Sequence, residues 1–274
     1  MPWHELYIDK KYDIINNKII LNEGEIMSKQ TEISIEQFPK SSKYDADWLL
    51  KNNMGPCSVW LTEYLMEKME LKPGMRILDM GCGMGMSSVF LAKEYGVTVF
   101  ANDLWISATD NFKRFIEMEV SDRVFPIHAE AHSLPYAEGF FDAIISIDSY
   151  HYYGTNDIYL LDFIKYLRDG GQIGIVVPGL THEIGNKIPE NIQKYWYEDW
   201  CTFHSPTWWK EHFEKCKSMR VDVADYLHNG WDIWLKWGQI CKKYGYGGSD
   251  NEIKLLEIDQ GQTITFSRII STKI

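Results

Sequence analysis

An acidic residue followed by glycines at every second position, Asp79-Met80-Gly81-Cys82-Gly83-Met84-Gly85, closes the apolar pair Ile77-Leu78 and leads into Met86-Ser87-Ser88-Val89-Phe90-Leu91-Ala92. Glycine reaches positive φ at little cost and carries no Cβ, so a ligand can approach the main chain. At a strand end that opens a helix, such a loop reads as a floor for a nucleotide-like cofactor. The spacing is G-x-G-x-G rather than the G-x-G-x-x-G of pyrophosphate binders, and no Gly-Lys-Ser/Thr follows. A second acid, Asp103, ends the next apolar run, Val97-Thr98-Val99-Phe100-Ala101-Asn102. A carboxylate there can accept two hydrogen bonds from a ribose diol. The same aspartate also suits the N-cap of the segment that follows. His128 and His132 are four apart, a metal-ligand spacing on a helix, but they fall on a strand end and a loop with no third ligand, so no metal is expected.

The elements that must position these residues alternate regularly. Strands are predicted at 75–80, 97–101, 123–128, 141–147, 172–177, 218–224 and 262–270, with helices at 86–95, 107–119 and 156–167. Strands alternating with helices imply a parallel sheet covered on both faces, with ligands gathered at the strands' carboxyl ends. The expected fold is α/β: a Rossmann-like, doubly wound sheet of seven mostly parallel strands with a helical, aromatic-rich cap. Residues 1–55 form an N-terminal segment that belongs to this cap or lid, and 56–178 form the cofactor-binding core. Residues 179–216 form a helical cap insertion, and 217–274 return to the core sheet with a helical insertion. Within 1–55, the run 12–20 reads equally as a strand pair or a helix, and Ser41 to Leu50 reads as the start of a capped helix. The stretch from Cys57 to Met69 has helical spacing, and Trp231 to Trp237 reads as an amphipathic helix with one aromatic face.

A chain of 274 residues with 45% hydrophobic content can bury a full core. No window offers the roughly 20 apolar residues of a membrane span, and the N-terminus lacks a signal-peptide pattern. Five scattered cysteines (Cys57, Cys82, Cys201, Cys216, Cys241) without a C-x-x-C fit a reducing cytoplasm. A net charge of −11 without a Lys/Arg cluster argues against a nucleic-acid partner.

The glycine loop resembles the first motif, D/E-x-G-x-G-x-G, of the class I S-adenosylmethionine-dependent methyltransferases, and the likeness continues along the chain. Leu134-Pro135-Tyr136 with Phe140-Phe141-Asp142 is similar to that family's L-P-F…F-D segment. Arg168-Asp169-Gly170-Gly171-Gln172-Ile173 is similar to its L-K-P-G-G-x-L turn, with Asp169 where proline is usual. These ordered motifs span about 75–177 and are closest to the UbiE-like, type 11 group. The resemblance implies S-adenosyl-L-methionine as cofactor, an antiparallel last strand, and a small-molecule acceptor methylated at nitrogen, oxygen or carbon. An oligomer is compatible with it.

The resemblance also implies roles. Asp79 would organise the loop and the cofactor's amino-acid end; a purely structural carboxylate tying down the loop is the other reading. Gly81, Gly83 and Gly85 would leave room for the cofactor. Asp103 would hold the ribose. Glu130, where the family has Asp, would meet adenine directly or leave that bond to the Ala131 or His132 backbone, with Leu104, Trp105 and Ala131 about the ring; a surface glutamate without a role is the other reading. Asp148 to Tyr153 would lie beside the transferable methyl. There His151 is the candidate general base, since imidazole titrates near neutrality; bracing the pocket is its alternative role. Tyr44, Trp48 and Trp60 would supply lid aromatics that face the sulfonium, with core packing as the other reading. The aromatics at 195–209 split between core packing and the walls of a chamber for planar or ammonium substrates.

Competing readings are a cyclopropane-fatty-acid-synthase-like enzyme, faintly echoed by Tyr150-His151-Tyr152-Tyr153-Gly154 but without its Glu-His, a nicotinamide oxidoreductase, and a non-catalytic sensor of S-adenosylmethionine.

Overall fold

The computed structural model describes residues 23–185 and 187–274. The predicted run 12–20 lies outside them. Seven strands form one sheet: β1 (Arg76–Met80), β2 (Thr98–Asp103), β3 (Val124–His128), β4 (Phe141–Ile147), β5 (Leu167–Leu180), β6 (Met219–Tyr226) and β7 (Ile264–Lys273). Their spatial order is β3-β2-β1-β4-β5-β7-β6. β1 to β5 run parallel. β7 inserts antiparallel between β5 and β6. The expected seven-stranded, mostly parallel α/β fold is the one found.

The helices are α1 (Glu23–Ile33), α2 (Ala46–Lys51), α3 (Ser58–Met66), α4 (Met86–Tyr95), α5 (Ala108–Glu117), α6 (Tyr159–Phe163), α7 (Pro206–Glu214), α8 (Gly230–Lys243) and α9 (Asp250–Asp259). Among the described residues, no helix is long and apolar enough to cross a membrane. Successive strand residues point to opposite faces, and the core divides accordingly. Ile77, Val99, Ile145 and Val176 pack with the helical layer of α3, α4 and α8. Leu78, Ile144, Ile173 and Ile175 pack with α6 and α7 through Tyr159, Phe163, Trp209 and Phe213. Each such side chain removed from water contributes about 1.5–3 kcal/mol before ordering costs. That double burial explains why these strands read as continuous apolar runs.

The chain lays β1, β2 and β3 outward on one side, then returns to place β4 against the other edge of β1. This reversal opens a crevice at the carboxyl ends of β1 and β4, the place where α/β sheets bind ligands.

Several elements differ from the sequence-based expectation. The segment 41–50 is a 3-10 turn, Ser41–Lys43, followed by α2. Asp45 accepts from Trp48 N at 2.8 Å, which starts the helix late. The buried Glu63 carboxylate accepts from Lys40 N, Ser41 N and Ser41 Oγ and holds the turn. β5 runs well beyond 172–177 because β7 pairs with it from Gln172 to Leu180. The expected cap at 179–216 holds two 3-10 turns, Gln193–Tyr195 and Glu198–Thr202, and α7. Trp209 and Phe213 of α7 are fully buried with the sheet residues Met219 and Ile269, in the core rather than above the site.

Candidate functional site

The loop between β1 and α4 takes its shape from glycine. Gly81, Gly83 and Gly85 have φ of 74°, 54° and 81°. At Gly81 a Cβ would fall within 1.9 Å of Ser149 Oγ, and at Gly85 within 2.5 Å of the Phe115 ring. These two glycines therefore also make room for the protein's own side chains, a reason not foreseen from the sequence. A Cβ at Gly83 would meet Met54 Sδ at 3.0 Å, across the crevice.

Asp103 ties this loop to the next. Its Oδ2 accepts from Gly83 N at 2.8 Å, while Oδ1 accepts from Trp105 N and Ile106 N at 2.8 and 2.9 Å. Ser107, not Asp103, caps α5. A carboxylate has about four acceptor sites, so Oδ2 keeps capacity for a ligand hydroxyl. Asp79 is fully buried beneath the loop, where Ser87 Oγ and Ser88 Oγ each donate to its Oδ2 at 2.6 Å. Burial pushes its carboxyl up to about 6, against the pull of those two hydroxyls. It anchors the first turn of α4 and does not line the crevice.

Over the loop lies a cavity of about 330 Å³, lined by Gly81, Cys82, Gly83, Met84, Asp103, Leu104, Trp105, Glu130, Ala131, Asp148 and Tyr152, among others. This is the size range of small-ligand clefts. Leu104 and Trp105, both about half exposed, line it. Glu130 there accepts from His132 N at 2.8 Å and pairs with His132 Nδ1 at 2.7 Å, and this histidine contact holds its carboxyl below the ordinary range. His128 Nε2 is paired with the Leu104 carbonyl at 2.7 Å.

A second cavity, of about 210 Å³, adjoins the first. Met54, Gly55, Pro56, Trp105, Asp148 and Tyr152 line both. Asp148 is the pivot of this seam. Its φ of 53° is left-handed, a conformation aspartate tolerates better than most residues and one that clusters at functional sites. Its Oδ2 lies where a Cβ on Gly55 would be only 2.4 Å away, so a side chain there would displace the carboxylate. Burial, with added repulsion from Glu252, pushes the Asp148 carboxyl well up. Trp237 Nε1 donates to Asn53 Oδ1 and to the Gly55 carbonyl, both at 2.9 Å, and so clamps the shared wall to α8.

The second cavity is walled by Tyr197, Trp200, Phe203, Trp234 and Trp237, with His151, Asp199 and Glu252 among its polar groups. Trp200 stacks on Phe203 at 5.0 Å, and Trp234 lies 5.9 Å from Trp200. Trp234 Nε1 donates to Glu252 Oε1 at 2.7 Å. Burial pushes the Glu252 carboxyl up to about 7 despite that bond. His151 is 2% exposed and its Nδ1 has no hydrogen-bond partner among the described residues. Burial drives its imidazole down to about 3, so the ring is neutral at physiological pH.

The structure thus brings Gly81, Gly83, Asp103, Leu104, Glu130, Ala131 and Asp148 around one cavity, with His151 in the next. It places Asp79 and Gly85 behind the loop. Tyr44 and Trp60 line neither cavity: Tyr44 packs against Trp48 and Phe90, and Trp60 meets Trp237 edge-on at 5.3 Å. Their burial in the helical layer gives them the core-packing role. Glu252 and Trp234 were missed by sequence reasoning. Ser249-x-x-Glu252 has the form of a capping box, in which the glutamate would serve only its own helix. Ser249 does accept from Glu252 N, at 3.4 Å, but the glutamate side chain goes to Trp234.

Residues 77–171 match a family described as a methyltransferase domain. Residues 10–123 match one described as protein-L-isoaspartate(D-aspartate) O-methyltransferase. Among curated proteins, the chain is 31% identical over 136 residues to methyltransferase GfsG of Streptomyces halstedii, covering 48% of this chain and 49% of that protein. It is 30% identical over 119 residues to phosphoethanolamine N-methyltransferase 1 of Zea mays, covering 41% of this chain and 22% of that protein. The chain thus spans about half, or less, of the length of these relatives. Among solved structures, geranyl diphosphate C-methyltransferase from Streptomyces coelicolor superposes with a TM-score of 0.66 at 14% identity, covering 100% of this chain and 98% of that one. Phosphoethanolamine N-methyltransferase 2 of Haemonchus contortus, in complex with S-adenosyl-L-methionine, gives 0.67 at 17% identity, with 89% and 59% covered. At these identities the superpositions establish the fold.

Proposed function

We propose that this chain, whose core is a class I S-adenosylmethionine-dependent methyltransferase domain, moves a methyl group from that donor to a small-molecule acceptor. The observation that carries the reading is the pair of joined cavities: one over the glycine loop, the other aromatic, meeting at Asp148, Gly55 and Tyr152. The residues fit the donor. Asp103 Oδ2 retains acceptor capacity for a ribose hydroxyl, the half-exposed Leu104 and Trp105 suit a flat base, and the start of α4 offers backbone N–H groups to a carboxylate. The carboxylates of Asp148 and Glu252 suit a neighbouring sulfonium charge.

When bound, the donor supplies an electrophilic methyl carbon: the acceptor's lone pair bonds to it as the carbon–sulfur bond breaks, with that pair left on sulfur. The chain's own residues then have to position and exclude water. The clamp of Trp237 on Asn53 and Gly55 fixes the wall between the cavities. Tyr152 and Trp105, 6.1 Å apart at the seam, narrow the opening. His151, neutral and unpartnered, is suited to hold an acceptor hydrogen bond rather than to store a proton near neutral pH.

Thermal shift with S-adenosylhomocysteine against NAD tests the donor assignment, since a selective ligand raises apparent stability by mass action. Stabilisation by NAD alone would sink it. Formation of S-adenosylhomocysteine with an acceptor separates an enzyme from a non-catalytic sensor.

A further inference from the structure

The polar groups of the aromatic chamber are acidic or neutral. Asp148, Asp199 and Glu252 line it, and among the described residues no lysine or arginine lines either cavity. Beyond the Trp234 bond to Glu252 Oε1, neither the Asp148 carboxylate nor Glu252 Oε2 has a hydrogen-bond partner among the described residues, and both residues line this cavity. His151, almost wholly buried, lines the same cavity, and its unpartnered Nδ1 lies on the buried side of the ring. Unpaired carboxylates lining one aromatic cavity favour a ligand that donates hydrogen bonds and carries positive charge. Trp200, Phe203 and Trp234 offer aromatic walls, whose faces attract a cation further. A phosphate in the same place would meet carboxylates with no cation to balance it, an arrangement that costs energy in a desolvated site.

We propose that the chamber binds an unphosphorylated amine as the methyl acceptor, held as its ammonium between Glu252 and Asp148 among the aromatic walls. The proposal rests on the methyl-transfer reading above and narrows its substrate class. The chemistry then balances simply. The ammonium gives one proton to a chamber carboxylate, and the freed nitrogen pair forms the new nitrogen–carbon bond. The positive charge that arrives with the donor leaves on the methylated nitrogen. Carboxyls whose burial lifts them toward neutrality, as at Glu252, are better proton acceptors for this purpose than ordinary surface carboxylates.

The test is a titration of the full chain, loaded with S-adenosylhomocysteine, followed by tryptophan fluorescence and calorimetry. The probes are benzyltrimethylammonium, its uncharged carbon isostere neopentylbenzene, and benzyl phosphate. Benzyltrimethylammonium should bind about tenfold more tightly than neopentylbenzene, the scale of a desolvated cation–aromatic contact, and benzyl phosphate should not compete. Glu252→Gln should weaken the ammonium by about tenfold, as expected for loss of one desolvated charge partner, and leave neopentylbenzene unchanged. Equal affinity for cation and isostere, competition by benzyl phosphate, or an indifferent Glu252→Gln variant would overturn the proposal. Failure of S-adenosylhomocysteine to bind would instead overturn the donor reading, while the ranking of the three probes, measured without it, still decides what the chamber prefers.

Discussion

The two cavities share a wall but are built by different means. The first is shaped largely by backbone: a glycine turn after β1, the loop after β2, and one carboxylate, Asp103, that gathers N–H groups from both. The second is shaped by side chains brought from the loop before α3, the segment after β4, the 3-10 turn Glu198–Thr202, α8 and the start of α9. A turn is encoded within a few residues, so its form survives changes elsewhere. A wall of side chains depends on several distant segments arriving together. The same fold can therefore keep one donor while changing its acceptor.

The sharpest way to break this comparison is to remove the residue on which the backbone cavity hangs. Asp103→Ala leaves three N–H groups without their acceptor. Hydrogen bonds to a charged group are worth about 1.5–3 kcal/mol each, so affinity for S-adenosylhomocysteine should fall by about a hundredfold or more in calorimetry. An unchanged affinity would mean that the donor lies elsewhere. Gly81→Ala comes next. It forces a Cβ onto Ser149 Oγ at positive φ and should cost about 3 kcal/mol of stability, from backbone strain and overpacking together. The double variant with Ser149→Gly should recover part of that cost, because it removes the clash and leaves the strain. Additive effects in that cycle would remove the contact from the explanation.

Trp237→Phe addresses the wall common to both cavities. It deletes two hydrogen bonds from the indole and part of the packing against Trp60. A loss of about 2 kcal/mol in denaturant unfolding is expected, together with weaker binding in both cavities. A defect confined to one of them would show that the wall is not shared in function.

How far each region could be read from the sequence follows the same division. The glycine run, Asp103 and the alternating strands are local signals, and they led directly to β1 through β5 and to the first cavity. Asp142 belongs to one of the same motifs, yet it accepts from Arg76 N and Arg168 Nε at the opposite end of the sheet, so a motif can mark the fold rather than the site. Tyr44 and Trp60 looked like lid residues because an aromatic reads alike whether it faces a ligand or another helix. No local signal singled out Glu252, whose spacing from Ser249 has the form of a cap that it only half fulfils. What decided these cases was the meeting of helices distant in sequence, α2 with α4 around Tyr44 and α3, α8 and α9 around Trp60 and Glu252, which periodicity alone does not carry.

Glu252 also offers a smaller test, in stability rather than binding. Its folded carboxyl is raised from 4.5 to about 7, so the folded state holds the proton more tightly than the unfolded chain. The resulting stabilisation is fully present below about pH 4.5 and is lost as pH rises through 7. Glu252→Gln escapes that loss. Relative to the parent, its Tm should rise by about 2–4 °C at pH 8, the shift that about 1 kcal/mol produces in a chain of this size, and should match the parent at about pH 4, below both carboxyl values. Equal Tm differences at both values would show that the carboxyl is not desolvated, and the chamber would be wetter than its aromatic walls imply.

The least effect is expected where the sequence pointed most directly to chemistry. His151 sits on the chamber wall, but burial holds its imidazole down at about 3. A base with so low a pKa is neutral across pH 5–9 and adds no limb to the rate profile there. His151→Asn keeps a hydrogen-bonding group and should lower turnover by a few-fold, about the worth of one neutral hydrogen bond. The shape of the kcat/KM profile against pH should be the same in variant and parent. The acid limb should instead follow the chamber carboxylates and shift in Glu252→Gln. If the limb near neutrality vanished with His151→Asn and persisted in Glu252→Gln, the imidazole would be the proton acceptor, and the acidic chamber would be left with recognition alone.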